Sequence, residues 1–291
     1  MTEVIKTLAT QIGETPVVEL PTVSPEGAAK IYLKLESLNP SGSLKDRVML
    51  NLIEIAEEDG AIGPGSTLVD ACDQHAGISL AMLAASKGYR SLVVTPEGLN
   101  PAIEAIITKY GGEILYTPLD AGMSGAISQA EEIARNKEYY YLAQFTNLGN
   151  PSVHEATTGP EILEAMGETK IDAFVASVGT GGTLTGVGRS LRTANPNVEI
   201  FAVEPEASQS LSGGVEGLHP LVGMGYGFIP PVLELTLYNG VVRVTTEEAY
   251  AMSDRLPKEQ GLLVSDATAA AIVGAVEVAK RLGRGKTVVV V

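Results

Sequence analysis

Two stretches of the chain carry residue types at spacings that chemistry uses. The first, Ser177-Val178-Gly179-Thr180-Gly181-Gly182-Thr183-Leu184-Thr185-Gly186, follows an apolar run and opens a helical pattern. Glycines there let several backbone N–H groups converge on one anion, a helix N-terminus adds positive potential, and Thr180 and Thr183 add hydroxyl donors: a phosphate cup. It is not a P-loop, which would close on Gly-Lys-Ser/Thr, and Leu184 stands where a dinucleotide fingerprint has its third glycine. The plainer alternative is a glycine-rich strand-to-helix turn with no ligand. The second stretch, Asn39-Pro40-Ser41-Gly42-Ser43-Leu44-Lys45-Asp46-Arg47, is a polar turn entering an apolar helix. A lysine at a helix start opposes the helix dipole. Either Lys45 pairs with Asp46 or Glu36 at the surface, or its amine is a Schiff-base nucleophile. His154 and His219 are too scattered for a metal site, and no metal is expected.

These residues need a scaffold, and the pattern around them supplies one. Short runs rich in Val, Ile and Tyr alternate with segments of helical period, the signature of parallel sheets covered by helices. The order predicts strand Leu68–Ala71, helix 76–87, strand Ser91–Thr95, helix 101–110, strand Ile114–Tyr116, helix 124–136 and strand Tyr140–Ala143. Asn100 before Pro101 reads as a cap with proline at the first helical position, and Gly111-Gly112 as the stop. A second series predicts helix 160–166, strand Ala173–Ser177, helix 182–194, strand Glu199–Val203 and strand Val241–Val244. A helix opened by the capping box Thr245-Thr246-Glu247-Glu248, an Ala-rich helix from about Ala267 and a strand Thr287–Val291 complete it. Two α/β units in tandem are expected, meeting near Gly149–Ser152. The glycine- and proline-rich stretch Ser212–Pro231 reads as an ordered loop across a cleft. Ligands of open α/β sheets sit beyond the carboxyl ends of the strands.

Composition narrows the classes. The 291 residues hold 20 Lys plus Arg against 35 Asp plus Glu, a net charge of −15. That balance argues against a broad phosphate-backbone surface, so no nucleic-acid partner is expected. A lone cysteine makes no internal disulfide, which favours a reducing compartment. Met1–Thr15 lacks the apolar core of a signal peptide and no segment is apolar enough to span a membrane, so a cytoplasmic location is expected, with no membrane partner.

Taken together, the motifs resemble the cysteine synthase and cystathionine β-synthase family of pyridoxal 5′-phosphate (PLP) enzymes. The resemblance runs through Ile12-Gly13-Glu14-Thr15-Pro16, Lys34-Leu35-Glu36, Asn39 to Arg47, Gln144-Phe145, Thr157-Thr158-Gly159-Pro160-Glu161, Gly179 to Gly186, Val203-Glu204-Pro205 and Gly223 to Pro230. It implies an α/β fold of the tryptophan synthase β-like type (PLP fold type II), with two three-layer αβα domains, largely parallel sheets and the active site in the cleft between them. Residues 46–150 would form the smaller domain, and 1–45 plus 151–291 the larger, PLP-phosphate-binding one. By the same resemblance Lys45 carries the cofactor and then acts as base and acid at the substrate α-carbon. Gly179, Thr180, Gly181, Gly182 and Thr183 hold the phosphate, Gln144 helps bind the substrate carboxylate, and Gly223 and Gly225 line the entrance. The partner is a small amino-acid substrate, and the family is commonly homodimeric.

The sequence departs from that family in four places. The family's substrate loop reads Thr-Ser-Gly-Asn-Thr-Gly and grips the α-carboxylate; here it reads Cys72-Asp73-Gln74-His75-Ala76-Gly77. Each hydroxyl donor lost to a charged group costs on the order of 1.5–3 kcal/mol, so affinity for an ordinary carboxylate falls roughly 10²- to 10⁴-fold. Asp73 adds repulsion, and His75 replaces the asparagine that meets the cofactor's 3′ oxygen. At the pyridine nitrogen the usual serine aligns with Ala267, leaving Thr268 or Asp266 to substitute. Asn100-Pro101-Ala102-Ile103-Glu104 replaces a segment that closes over substrate, and the chain ends at Val291 where relatives carry a polar tail. Taken singly, Cys72 reads as a small buried side chain and His75 as either structural or functional.

The expected activity is PLP-dependent β-replacement or β-elimination on a serine- or cysteine-type amino acid, with altered substrate choice. Two alternatives stay open. One is a PLP-binding homologue without the chemistry, serving as a regulatory partner. The other is a threonine synthase-like or deaminating enzyme, suggested by Asp266-Ala267-Thr268.

Overall fold

A computed structural model describes residues 7–291. The stretch Met1–Thr15, read above as no signal peptide, lies partly outside the described residues. Among the described residues no helix is long and apolar enough to cross a membrane.

In chain order the elements begin with strands β1 (Val17–Glu19) and β2 (Lys30–Lys34). Helix α1 (Lys45–Glu58), β3 (Thr67–Ala71), α2 (Gln74–Lys87), β4 (Arg90–Pro96) and α3 (Pro101–Lys109) follow. Next come β5 (Glu113–Thr117), α4 (Gly122–Ile133), β6 (Tyr139–Tyr141), α5 (Gly149–Val153) and α6 (Gly159–Met166). The last are β7 (Ala173–Ser177), α7 (Gly182–Ala194), β8 (Glu199–Pro205), β9 (Gly240–Val244), α8 (Thr246–Gln260), α9 (Asp266–Leu282) and β10 (Thr287–Val290).

The chain divides into two compact units, one of residues up to Gly13 with Ser37–Asn150, the other of Glu14–Glu36 with Pro151–Val291. Residues up to Gly13 and Ser37–Lys45, expected with the larger domain, therefore group with the first unit. The cause is local: Ser41 ahead of α1 donates from its N–H to Asp46 at 2.8 Å, and its hydroxyl lies 3.1 Å from that of Ser79 on α2. The units are interleaved rather than in simple tandem.

The first unit is built on a parallel sheet in the order β5-β4-β3-β6. Every residue of β3 is buried, including Asp70. The Asn100 cap accepts from the Ala102 N–H at 2.9 Å, with Pro101 opening α3 as the sequence suggested. The second unit has the order β1-β2-β10-β7-β8-β9, parallel except for the antiparallel edge β1. Its core sets Ile31, Val175, Val203 and Val288 against Ala270, Ile272 and Ala275 of α9. Thr245 and Glu248 form the capping box of α8.

Two elements end or begin where the sequence pattern did not place them. The strand expected over Tyr140–Ala143 stops at Tyr141, because Ala143 turns into the left-handed region at φ +59°. The helix expected from Pro160 is preceded by α5 and a wider π-type turn over His154–Thr158, where the Gly159 N–H donates to the carbonyl of His154. Pro160 has no N–H to give to a preceding carbonyl, and the wider turn accommodates that gap. Ser212–Pro231 contains no helix or strand, in keeping with a loop.

Candidate active site

In the first unit the site grows from three segments at the carboxyl end of the sheet. Lys45 is the first residue of α1, buried, and its Nζ donates to Oε1 of Gln144 at 3.3 Å. Lys45 therefore lies buried with its amine on a side-chain amide rather than at the surface, while Asp46 accepts from Ser41 and Glu36 from the Thr15 hydroxyl at 2.6 Å. Gln144, also buried, donates from Nε2 to the carbonyl of Ala71 at 2.7 Å and faces Sγ of Cys72 at 3.8 Å. Lys45, Cys72 and Gln144 are thus one cluster.

The loop after β3 is organised by its own carboxylate. Asp73 caps α2, its Oδ1 accepting from the Ala76 N–H at 2.9 Å. Gln74, His75 and Ala76 form the opening turn of α2, and the His75 carbonyl accepts from the Ser79 hydroxyl at 3.0 Å. Burial pushes the Cys72 thiol well up, the charges of Asp70 and Asp73 add to this, and Lys45 opposes it. Such surroundings disfavour the thiolate, the form in which a cysteine acts as a nucleophile.

Asp70 was hidden in the apolar strand pattern. Its carboxylate is fully buried, accepting from the N–H of Ala71 at 2.9 Å and of Gln144 at 3.3 Å. Burial pushes its carboxyl up to about 7, while the N–H groups of Gln144, Ala71 and Ala143 and the charge of Lys45 pull it down.

In the second unit the glycine stretch forms the turn from β7 into α7. Gly181 is the N-cap residue in the left-handed region, φ +83°, and offers no side chain to the first-turn N–H groups. A Cβ on Gly179 would lie 2.3 Å from the carbonyl oxygen of Gly223, so the turn and the Gly223–Gly225 segment touch through bare backbone. The Gly225 N–H donates to Val178 at 3.0 Å, and its carbonyl lies 2.8 Å from Nε2 of His219. A carbonyl only accepts, so His219 carries a proton on Nε2.

Thr268 lies in the first turn of α9, where its N–H and hydroxyl both meet the Ser265 hydroxyl at 3.2 Å. His154, set aside in the sequence as one of two scattered histidines, is fully buried beside the glycine turn. Its Nδ1 lies 2.9 Å from the Thr158 hydroxyl and its Nε2 lies 3.3 Å from the Thr183 hydroxyl. Gly186 permits this, since a Cβ there would sit 2.1 Å from the carbonyl of Pro151. The only sequence hint was the four-residue spacing of His154 and Thr158.

A buried lysine amine thus lies on a side-chain amide, and a glycine turn opens a 13-residue helix. Residues 8–291 match the model of the family described as pyridoxal-phosphate dependent enzyme. The chain is 47% identical over 280 residues to the cysteine synthase of Staphylococcus aureus (strain Mu50 / ATCC 700699), covering 96% of this chain and 90% of that one. Among solved structures it is similar to O-ureido-L-serine synthase (TM-score 0.95, 34% identity, 99% of this chain and 91% of that one). It is also similar to the O-acetylserine dependent cystathionine β-synthase of Helicobacter pylori (TM-score 0.94, 35% identity, 99% and 95%). The chain belongs to the cysteine synthase and cystathionine β-synthase family of PLP-dependent enzymes.

Proposed function

We propose that this enzyme performs β-replacement or β-elimination on a serine- or cysteine-type amino acid, as a cysteine synthase-like enzyme whose substrate choice is reset by the loop Cys72–Ala76. The observation that carries the reading is the buried Lys45 amine donating to Gln144 at 3.3 Å.

The residues present fit the cofactor. A phosphate needs several N–H donors that few Cβ atoms obstruct, and the turn Gly179–Thr183 offers a glycine N-cap at a helix N-terminus, where the Thr180 hydroxyl accepts from the Gly182 N–H at 3.4 Å. Gly179, Thr180, Gly181, Gly182 and Thr183 would hold the phosphate, with His154 steadying the Thr183 hydroxyl. When bound, the cofactor supplies an electron sink that stabilises negative charge at the substrate α-carbon while the β-substituent departs.

The protein's share is orientation and proton movement. The Lys45 amine takes the proton from the α-carbon and returns one when the nucleophile has added. Gln144 Oε1 aims that amine, and Gln144 is in turn fixed by Ala71. Burial of Lys45, Asp70 and Gln144 keeps bulk water from this cluster. The Asp73 carboxylate takes the Ala76 N–H at the mouth of α2 and presents a negative charge there. A substrate whose carboxylate would use that N–H meets a like charge instead, which supports altered selectivity.

The test is a spectral titration of the holoenzyme with serine, O-acetylserine, O-phosphoserine, cysteine and threonine. A change with O-acetylserine and product formation with an added thiol or sulfide are expected. A colourless protein that PLP cannot reconstitute would overturn the reading. A PLP-binding regulatory homologue is the second reading, favoured by the Asp73 cap; it predicts cofactor absorbance that no amino acid alters. Release of ammonia and an oxo acid from serine or threonine without a nucleophile would instead indicate the deaminating activity.

A further inference from the structure

The turn that delivers Gln144 has a conformation its sequence disfavours. Ala143 sits at φ +59°, where an alanine's Cβ crowds its own backbone, and such strain persists only where the surroundings over-determine it. Asp70 supplies that constraint. Its buried carboxylate accepts from the N–H of Ala71 at 2.9 Å and of Gln144 at 3.3 Å, and the Ala143 N–H also faces it. One carboxylate thereby joins the end of β3 to both residues of the turn after β6. An ionised carboxylate has acceptor sites for all three donors and no proton of its own to misdirect. With the turn so held, Gln144 Nε2 is spent on Ala71 at 2.7 Å and only Oε1 remains to meet the Lys45 amine.

We propose that Asp70 is a positioning residue: its carboxylate locks the Ala143–Gln144 turn and so orients the Gln144 amide that aims Lys45. The inference rests on the reading of Lys45 as the reactive amine. The charged and titratable groups around Asp70 are Lys45 from α1, Cys72 from the loop after β3 and Tyr141 from β6. Of these Lys45 favours the ionised carboxylate, while burial disfavours it. Protonation adds a hydrogen where an acceptor is needed, and the hold on the turn slackens.

The direct readout is the Gln144 side-chain amide in the NMR spectrum of the cofactor-free chain, assigned by its loss in Gln144→Ala. In the wild type this signal should titrate with a midpoint near pH 7, and its protection against hydrogen exchange should fall at least tenfold on the acid side. In Asp70→Asn it should keep the acid-side position at every pH. A wild-type signal that does not titrate anywhere between pH 4 and 8, or an Asp70→Asn signal identical to the wild type's at pH 8, overturns the proposal; the wild-type titration decides even if the variant fails to fold. Addition of PLP to wild type and Lys45→Ala judges the Lys45 reading separately, through the lysine-dependent visible absorbance.

Discussion

The Asp73 carboxylate accepts the Ala76 N–H at 2.9 Å, so the first turn of α2 is closed by a charge from its own chain. Serine is an equally good N-cap. Asp73→Ser should therefore change stability by no more than about 1 kcal/mol while removing the charge. Affinity for O-acetylserine in the spectral titration should rise roughly tenfold or more, since a like-charge contact costs at least about 1.4 kcal/mol. Unchanged affinity would mean that Asp73 does not face the substrate.

Lys45→Ala should abolish the visible absorbance of the lysine-bound cofactor and lower turnover on the order of 10²- to 10⁴-fold, the range for a lost general acid-base group. Absorbance and steady-state rate on one preparation check it. Thermal stability should not collapse, because the alanine keeps the first turn of α1 intact.

Asp70 gives a pH dependence of stability. Its folded value of about 7 lies above the unfolded value near 3.8. Between those values the folded chain binds the extra proton, so this group's contribution declines as pH rises through that window and is level above it. Roughly three pH units correspond to something on the order of 4 kcal/mol. Denaturant titrations at pH 5, 6, 7 and 8 should show this decline in the wild type and a shallower one in Asp70→Asn.

Gly179→Ala should separate the glycine turn from the Gly223 segment, since the new Cβ would fall 2.3 Å from a backbone oxygen. The expected cost is about 1–3 kcal/mol of stability, with weaker PLP retention. Dialysis against buffer lacking PLP, followed by absorbance, measures the second effect.

The periodic elements were legible because burial dictates them: β7 and α7 match the reading from the sequence to the residue. The glycine turn and Lys45 were legible because their residue types are costly or odd where they stand. Asp70 was not, since one carboxylate in an apolar strand reads as a defect until the N–H groups of Gln144, 74 residues away, come to meet it. His154 stayed silent for the same reason: its meaning lies in Thr183, 29 residues on, and in a helical turn of abnormal width. The premature end of β6 depends on a left-handed alanine, which no propensity scale favours.

The interleaved sheet also sets a timetable for synthesis. Residues 37–150 emerge as one continuous run and can complete β3 to β6 without waiting for later sequence. The other sheet must hold β1 and β2 in reserve until β10 has been made, because Thr287–Val290 is the strand that joins β2 to β7. A ribosome releasing this chain from its N-terminus therefore leaves β2 and β7 with open edges until β10 arrives, and that interval is a window of exposure to proteases and to aggregation.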